Sequence, residues 1–445
     1  MKRWELLLTR KKMWLRLKTR SAWQSGGAEG RVVQPVLEKT LPQDQLFLWW
    51  LGNPAVPRPV GELGLVAGGR SVSLRYGPDW LRSGFALSED LPMAGELFVP
   101  RDKDCAAGAV DDARPDRWGE RVIRRFETTP RLSILEFLLF AGDDRYGALG
   151  VSRRSDAYEP WRGGPAPHLD SLPAMAEVVR KVLANEAVPE LQRRLVRPGA
   201  SLGGARPKSL INIDGEPWLV KFSECEEIDT SLIEHATLLL ARSCGVEVVM
   251  SRALPLGAKA AGHAVAVRRF DRTSAARLHA VSAHVALRAA GEDYGYPQLA
   301  QLFRRLAPAD AIRSQQEQLF RRMIFNILID NTDDHEKNHA LLRQADGHYL
   351  LSPAFDVVPS ARGLGYQAMA VGDQATESTL VNALSQARQF GLKPDAARAV
   401  IKDVSSKVAG WKESFARSGV RQGDIDLLAQ YIDGDKLRLQ RQEFR

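Results

Sequence analysis

Cysteine is scarce in this chain of 445 residues: there are three, Cys105, Cys225 and Cys244, far apart and odd in number. That pattern argues against a disulfide framework and a zinc site, and it reads as reduced thiols of a cytoplasmic protein. Long apolar runs are missing too. The most apolar early stretch, Leu46 to Leu51, is far shorter than the roughly 18 residues a membrane span needs, so no membrane association is expected. There is no internal repeat and no low-complexity tract, which excludes solenoid and fibrous architectures. What remains, 44% hydrophobic and 26% charged residues, is the composition of a globular protein long enough for two or three domains. A formal excess of 8 positive charges permits an acidic partner such as nucleic acid, although the charge is spread over a large surface. From Met1 to Arg20 charges interrupt the Leu and Trp residues, so no signal-peptide core forms, and residues 1–45 are expected to be a basic, poorly ordered extension.

The chemistry concentrates in Asn331-Thr-Asp-Asp-His-Glu-Lys-Asn338 and in Ser352-Pro-Ala-Phe-Asp356. Between them, two short apolar runs flank Asp346-Gly347, a strong hairpin signal that should bring Asn338 and Asp356 close together. An Asp followed five positions later by an Asn, then by a second Asp after a hairpin, is the order of base and metal ligands in a protein-kinase catalytic loop. Asp333, Asn338 and Asp356 reproduce it, and their all-oxygen donor set suits Mg²⁺. A polar loop before a hairpin is by itself ordinary. The preceding run shifts the balance: Leu319, Phe320, Met323, Ile324, Ile327 and Leu328 fall at helical spacing, a buried helix that delivers charges needing partners.

Upstream, Ser201-Leu-Gly-Gly-Ala-Arg-Pro-Lys208 is a Gly-rich loop of the kind that lets backbone N–H groups approach phosphates. A hairpin follows, turning at Asp214-Gly215. In its second strand the period of two puts Trp218, Val220 and Phe222 on one face and Leu219 with Lys221 on the other, so Lys221 can meet a phosphate. Glu234, on a helix expected from Asp229 to Cys244, either orients Lys221 or faces solvent. Val246 to Leu254 and His263 to Phe270 read as strands, and Arg268-Arg-Phe-Asp-Arg272 as a connection between lobes where Phe270 can stack on adenine. Earlier in the chain, Gln34 to Pro59 is expected to be a loosely packed lead-in and Val60 to Tyr76 a β-hairpin, with Leu87 to Pro92 a strand-to-turn exit. Pro115 is placed at a helix start and Asp170 to Leu195 in one helical segment.

Taken in order, Pro115-Asp-Arg-Trp-Gly119, Ala141-Gly-Asp-Asp-Arg-Tyr-Gly-Ala148, the Gly-rich loop, Leu219-Val-Lys-Phe222, Arg269-Phe-Asp-Arg272 and the two catalytic stretches resemble the HipA family, the Ser/Thr kinase toxins of bacterial HipBA-type toxin–antitoxin pairs. The likeness runs from about Val60 to the C-terminal helices. It implies an α+β, two-lobed protein-kinase-like fold with a small β-rich N-terminal domain and a mostly helical C-terminal lobe. The expected division is 1–45 extension, 46–160 β-rich subdomain with helices, 161–272 nucleotide-binding part, and 273–445 helical lobe with the catalytic loop.

The resemblance also implies roles. Asp333 is similar to the catalytic base, Asn338 and Asp356 to the Mg²⁺ ligands, and Lys221 to the lysine that holds ATP phosphates. Lys208 resembles a second lysine near the nucleotide, with Gly203, Gly204 and His335 around it, while Phe270 and the backbone at Arg268 correspond to the adenine-contacting hinge. Position 268 is Arg where the family pattern has an acid. Ser201 matches the serine whose autophosphorylation switches such kinases off. ATP and Mg²⁺ are the implied cofactors. A HipB-like DNA-binding antitoxin is the implied partner, with DNA reached through it, and an aminoacyl-tRNA synthetase is an implied substrate. The rival reading is a catalytically silent kinase-like corepressor that binds antitoxin and DNA.

Overall fold

The computed structural model describes residues 44–199, 203–224, 227–257, 262–273 and 275–444. Ser201, Cys225 and most of the basic extension therefore lie outside the described residues. The chain opens with strands β1 (Gln45–Trp50), β2 (Arg58–Val66) and β3 (Ser71–Tyr76), the short helix α1 (Pro78–Ser83) and strand β4 (Leu97–Phe98). Helices α2 (Arg117–Phe126) and α3 (Ile134–Phe140) precede β5 (Leu149–Ser152), and the five strands form one antiparallel sheet in the order β4-β3-β2-β1-β5. The lead-in expected at Gln34 to Pro59 is thus corrected. From Gln45 it contains a strand between β2 and β5, with Leu46, Leu48 and Trp49 buried, because a continuous apolar run is stabilised by covering both of its faces.

Three further expectations shift. Leu87 to Pro92 is bends and turns rather than strand. Pro115 stands before Asp116, the N-cap of α2, rather than inside the helix. Asp170 to Leu195 breaks into α4 (Leu172–Leu183) and the single turn α5 (Glu190–Arg193), separated where Asn185 adopts a left-handed φ of 57° and Pro189 follows.

A second sheet contains β6 (Lys208–Ile213), β7 (Glu216–Lys221), β8 (Ser251–Pro255) and β9 (His263–Arg268) in the order β6-β7-β9-β8, with α6 (Thr230–Ser243) packed on β8 and β9. Asp229 caps α6 through Leu232 N–H, and Gly245 ends it at φ 77°. Strand β8 begins at Ser251, later than the expected Val246, since residues 247–249 pair instead with the segment before Asp356.

The remainder is β10 (Ala280–Ser282), the helices α7 (Ala283–Ala290), α8 (Tyr296–Leu306) and α9 (Ile312–Leu328), the hairpin β11 (Ala340–Arg343) and β12 (Tyr349–Leu351), and the helices α10 (Leu380–Ser385), α11 (Pro394–Val408), α12 (Trp411–Arg417), α13 (Gln422–Ile432) and α14 (Asp435–Glu443). The hairpin read at Asp346-Gly347 is present, and β10 pairs with β11 to complete a three-stranded sheet. In α9 all six residues at helical spacing are fully buried. One hydrophobic core runs from the first sheet through α3, α6, α7, α8 and α9 to α13, so the β-rich part and the helical part share an interior.

Candidate functional site

The alternation along β7 sends its side chains into two different interiors. Trp218, Val220 and Phe222 join a cluster with Trp118, Val178 and Ala266, whereas Leu219 enters the main core. Lys221 shares the face of Leu219 and is 3% exposed. Its ammonium lies 2.7 Å from Glu234 Oε1 and 2.7 Å from Asp356 Oδ1. Glu234 is fully buried, which removes the solvent-facing alternative, and its other oxygen takes Arg206 at 3.0 Å. Burial works against the charge on Lys221, but Asp356 and then Glu234 outweigh it and raise the pKa above the ordinary lysine value.

Asp356 is positioned from two sides. Just before it, Ala354 exchanges backbone hydrogen bonds with Glu247 and Val249. Phe355 packs on Phe270 with ring centroids 5.3 Å apart. Asp356 itself has φ 55°, in the left-handed region that Asp tolerates better than most residues. Burial pushes its pKa up, yet Lys221, Lys208 and Arg206 prevail and hold the carboxyl far below the usual range, so it is a carboxylate at neutral pH.

The two adjacent acids of the segment 331–338 part company. Asp334 is buried and accepts from Tyr296 Oη, from Asn326 Nδ2 at 2.8 Å and from His339 Nε2 at 2.9 Å. Asn326 lies on α9 one turn beyond Arg322, whose guanidinium donates to Ser352 O at 2.7 Å; the helix therefore fixes the start and end of the hairpin together. Asp333 is exposed. Asn338 is 4% exposed, and its amide Nδ2 reaches Asp333 O at 3.4 Å. Its Oδ1 is buried without a hydrogen-bond partner among the described residues. His335 caps the single turn Glu336–Asn338, accepting from Lys337 N–H at 3.2 Å.

The described part of the Gly-rich loop lies across this arrangement. Gly203 and Gly204 have φ of 101° and 90°. A Cβ on Gly203 would stand 3.3 Å from Lys337 Cβ, and one on Gly204 would stand 3.3 Å from Lys208 Nζ and 3.5 Å from Asp356 Oδ2, so the left-handed backbone is what favours glycine at both positions, and the neighbouring side chains lie close by. A cavity of about 690 Å³ is lined by Gly203, Gly204, Asp333, His335, Lys337 and Phe355. Lys208, Lys221 and Asp356 adjoin it through Gly204 and their ion pairs. At the connection between lobes, Phe270 is half-buried beside Tyr146, while the Arg268 side chain turns outward to Glu216 at 3.2 Å and its N–H donates to Met250 O.

Three residues of the site carry little signal in the sequence. Arg206 sat in the Gly-rich stretch as one more loop cation, and its basic character was the only signal. Asp116 was visible only as part of a motif, yet its carboxylate reaches Lys208 at 2.6 Å. Tyr146 lines the same cavity with a buried hydroxyl that has no partner among the described residues, and nothing in its local spacing marks it.

Comparison with known proteins adds family and fold. Residues 55–152 match the family model described as the HipA N-terminal domain, and residues 200–411 match the HipA-like C-terminal domain. A putative kinase, Y4dM, of Sinorhizobium fredii is 26% identical over 154 residues, which is 32% of this chain and 37% of that relative's length. The HipA of Shewanella oneidensis MR-1, solved with HipB and its operator DNA, superposes with a TM-score of 0.63 at 18% identity, covering 89% of this chain and 97% of that one. The Helicobacter pylori proinflammatory kinase CtkA gives a TM-score of 0.41 at 14% identity over 56% of this chain and 95% of its own.

Proposed function

Because the chain belongs to the HipA family, we propose that it is an ATP- and Mg²⁺-dependent protein serine/threonine kinase acting as the toxin of a toxin–antitoxin pair. The observation that carries this reading is the bridge from Glu234 through Lys221 to Asp356, next to a cavity into which Asp333 is exposed. A buried lysine paired with a helix glutamate and adjoining a second carboxylate is the arrangement a kinase needs to grip phosphates.

The residues present fit a magnesium ion. Asn338 Oδ1 is a buried acceptor without a donor, and Asp356 is held ionised by cations rather than neutralised by a proton. Asn338 and Asp356 would hold the ion, which supplies charge neutralisation between phosphate groups when bound. Lys221 then holds phosphate oxygens, kept in place by Glu234. Gly203 and Gly204 bring backbone close to the nucleotide with no Cβ in the way. Asp333 orients the acceptor hydroxyl and takes its proton. Catalysis by positioning and charge neutralisation asks little more of the protein.

The fuller reading follows the family. The acceptor class is a seryl or threonyl hydroxyl of a translation component such as an aminoacyl-tRNA synthetase, and Ser201 is the site of inactivating self-phosphorylation. A HipB-like antitoxin is the partner, a proposal supported by the fold shared with a HipA solved beside HipB and operator DNA. The excess of 8 positive charges would help such a pair sit on DNA. No described helix is long and apolar enough to cross a membrane, and a cytoplasmic location is part of the proposal. The proposed domains are the extension at 1–45, the β-rich subdomain at 46–160, the nucleotide-binding part at 161–272 and the helical lobe at 273–445.

The test is incubation of the purified chain with ATP and Mg²⁺, followed by mass-spectrometric mapping of phosphate. Phosphate is expected on Ser201 and on a serine of an added protein substrate. Absence of both phosphoprotein and ATP consumption would leave the corepressor reading in possession.

A further inference from the structure

Lys208 opens β6 and is 2% exposed. Its ammonium donates to Asp116 Oδ2 at 2.6 Å and to Gly203 O at 2.6 Å, and its carbonyl accepts from Trp118 Nε1 at 2.8 Å. Asp116 and Trp118 thus hold one lysine by side chain and backbone from 92 and 90 positions away. The Asp116 carboxylate divides its work: Oδ1 caps α2 by accepting from Gly119 N–H at 2.8 Å, and Oδ2 takes the lysine. Gly119 lets the start of α2 pack against the backbone at Pro198, since a Cβ there would lie 2.1 Å from Pro198 O.

A buried ammonium needs a carboxylate, and breaking such a pair leaves an uncompensated charge. Two carboxylates stand near Lys208. One is Asp116; the other is Asp356, whose Oδ1 is taken by Lys221 and whose Oδ2 flanks Gly204 together with the Lys208 ammonium. If Asp116 lost its charge, the ammonium would be drawn to the oxygen of Asp356 that Lys221 leaves open. We propose that Asp116 is a positioning residue of the metal site: by holding Lys208 against the Gly203 carbonyl, it keeps Asp356 Oδ2 available to a divalent cation. The proposal rests on the kinase reading above, and it gives the Pro115–Gly119 motif of the β-rich part a task in the nucleotide site.

Asp116→Asn separates this task from the helix cap, because Asn caps a helix as well as Asp does. The probe is Mn²⁺ in the presence of the non-hydrolysable analogue adenylyl imidodiphosphate, with free Mn²⁺ read by electron paramagnetic resonance on the full chain. Wild type binds the Mn²⁺–nucleotide, and Asp116→Asn weakens binding about tenfold or more, the usual effect of removing a residue that orients a metal ligand. In a Lys208→Gln background the same substitution changes nothing, because no ammonium is left to restrain. That comparison also serves if the single variant fails to fold. Equal Mn²⁺ affinity of wild type and Asp116→Asn, or an equal loss in both backgrounds, overturns the proposal. Failure of the wild-type chain to bind Mn²⁺ with the analogue overturns the kinase reading instead.

Discussion

Asp333 and Asp334 stand side by side in the chain and have opposite surroundings. Asp334 is 2% exposed, and although burial pushes its pKa up, His339, Tyr296 and Arg322 bring it below the ordinary value. Asp333 has an exposed side chain at the cavity. Substitutions should therefore separate chemistry from stability. Asp333→Asn is expected to lower phosphoryl transfer by about 10²–10⁴-fold, the range for a lost general base, with an unchanged melting temperature. Asp334→Ala should destabilise the fold by about 3–5 kcal/mol, as removal of one partner from a buried charged network does. Activity assays alongside denaturant titrations check both, and a reversal of the two effects would remove Asp333 from the role of base. At this scale the sequence spoke clearly where residues are near one another: the step from Asp333 to Asn338 was legible as a spacing. Glu234 admits two roles from sequence, because which way a helix glutamate faces depends on tertiary packing. The link from Asp116 to Lys208 could not be read at all, since 92 residues separate its ends.

Elements were legible in proportion to their local patterning. The apolar stripe of α9, the capped helix α6 and the hairpin at Asp346-Gly347 each carry their signal within about a dozen residues. Strand β1 was hidden because its run Leu46 to Leu51 is apolar throughout, a pattern that does not distinguish strand from buried helix, and one of its partners, β5, comes about 100 residues later. Strand β10 is short and is anchored by the residue before it. His279 is 1% exposed, its Nε2 lies 2.7 Å from Leu87 O, and its ring packs against Trp50 and Phe85. Burial lowers its pKa to about 4, against the opposing effect of the Leu87 hydrogen bond. An unfolded histidine titrates near 6.5, so between about pH 6.5 and pH 4 the unfolded chain binds a proton that the folded chain refuses. This contribution to stability is complete above about pH 6.5 and is lost as the pH falls towards 4, amounting to about 3 kcal/mol. His279→Gln, which retains a donor for Leu87, should flatten that part of the stability–pH curve measured by urea unfolding. An unaltered slope would mean that His279 is not the group responsible.

Across the described residues, the β-rich part is tied into the rest of the chain by charge as well as by shared interior. Asp271 accepts from Gly147 N–H at 2.8 Å and from Arg269 Nε at 2.8 Å, Arg277 pairs with Asp143 at 2.7 Å, and Arg197 pairs with Asp144 at 2.6 Å. Arg269 also donates to the carbonyls of Asp144 and Arg145, so the stretches at Ala141–Ala148 and Arg269–Arg272 satisfy each other's buried polar groups. The arrangement sets the Phe270 ring against that of Phe355, the residue before Asp356. The central claim is that Asn338 and Asp356 hold one divalent ion beside a nucleotide gripped by Lys221. It is tested most directly by a crystal structure with Mn²⁺ and adenylyl imidodiphosphate, the ion located by its anomalous scattering. The account predicts a single strong peak at coordination distance from Asn338 Oδ1 and Asp356 Oδ2, with the analogue's phosphates reaching Lys221. A nucleotide bound elsewhere, or a metal peak out of reach of both side chains, would contradict it.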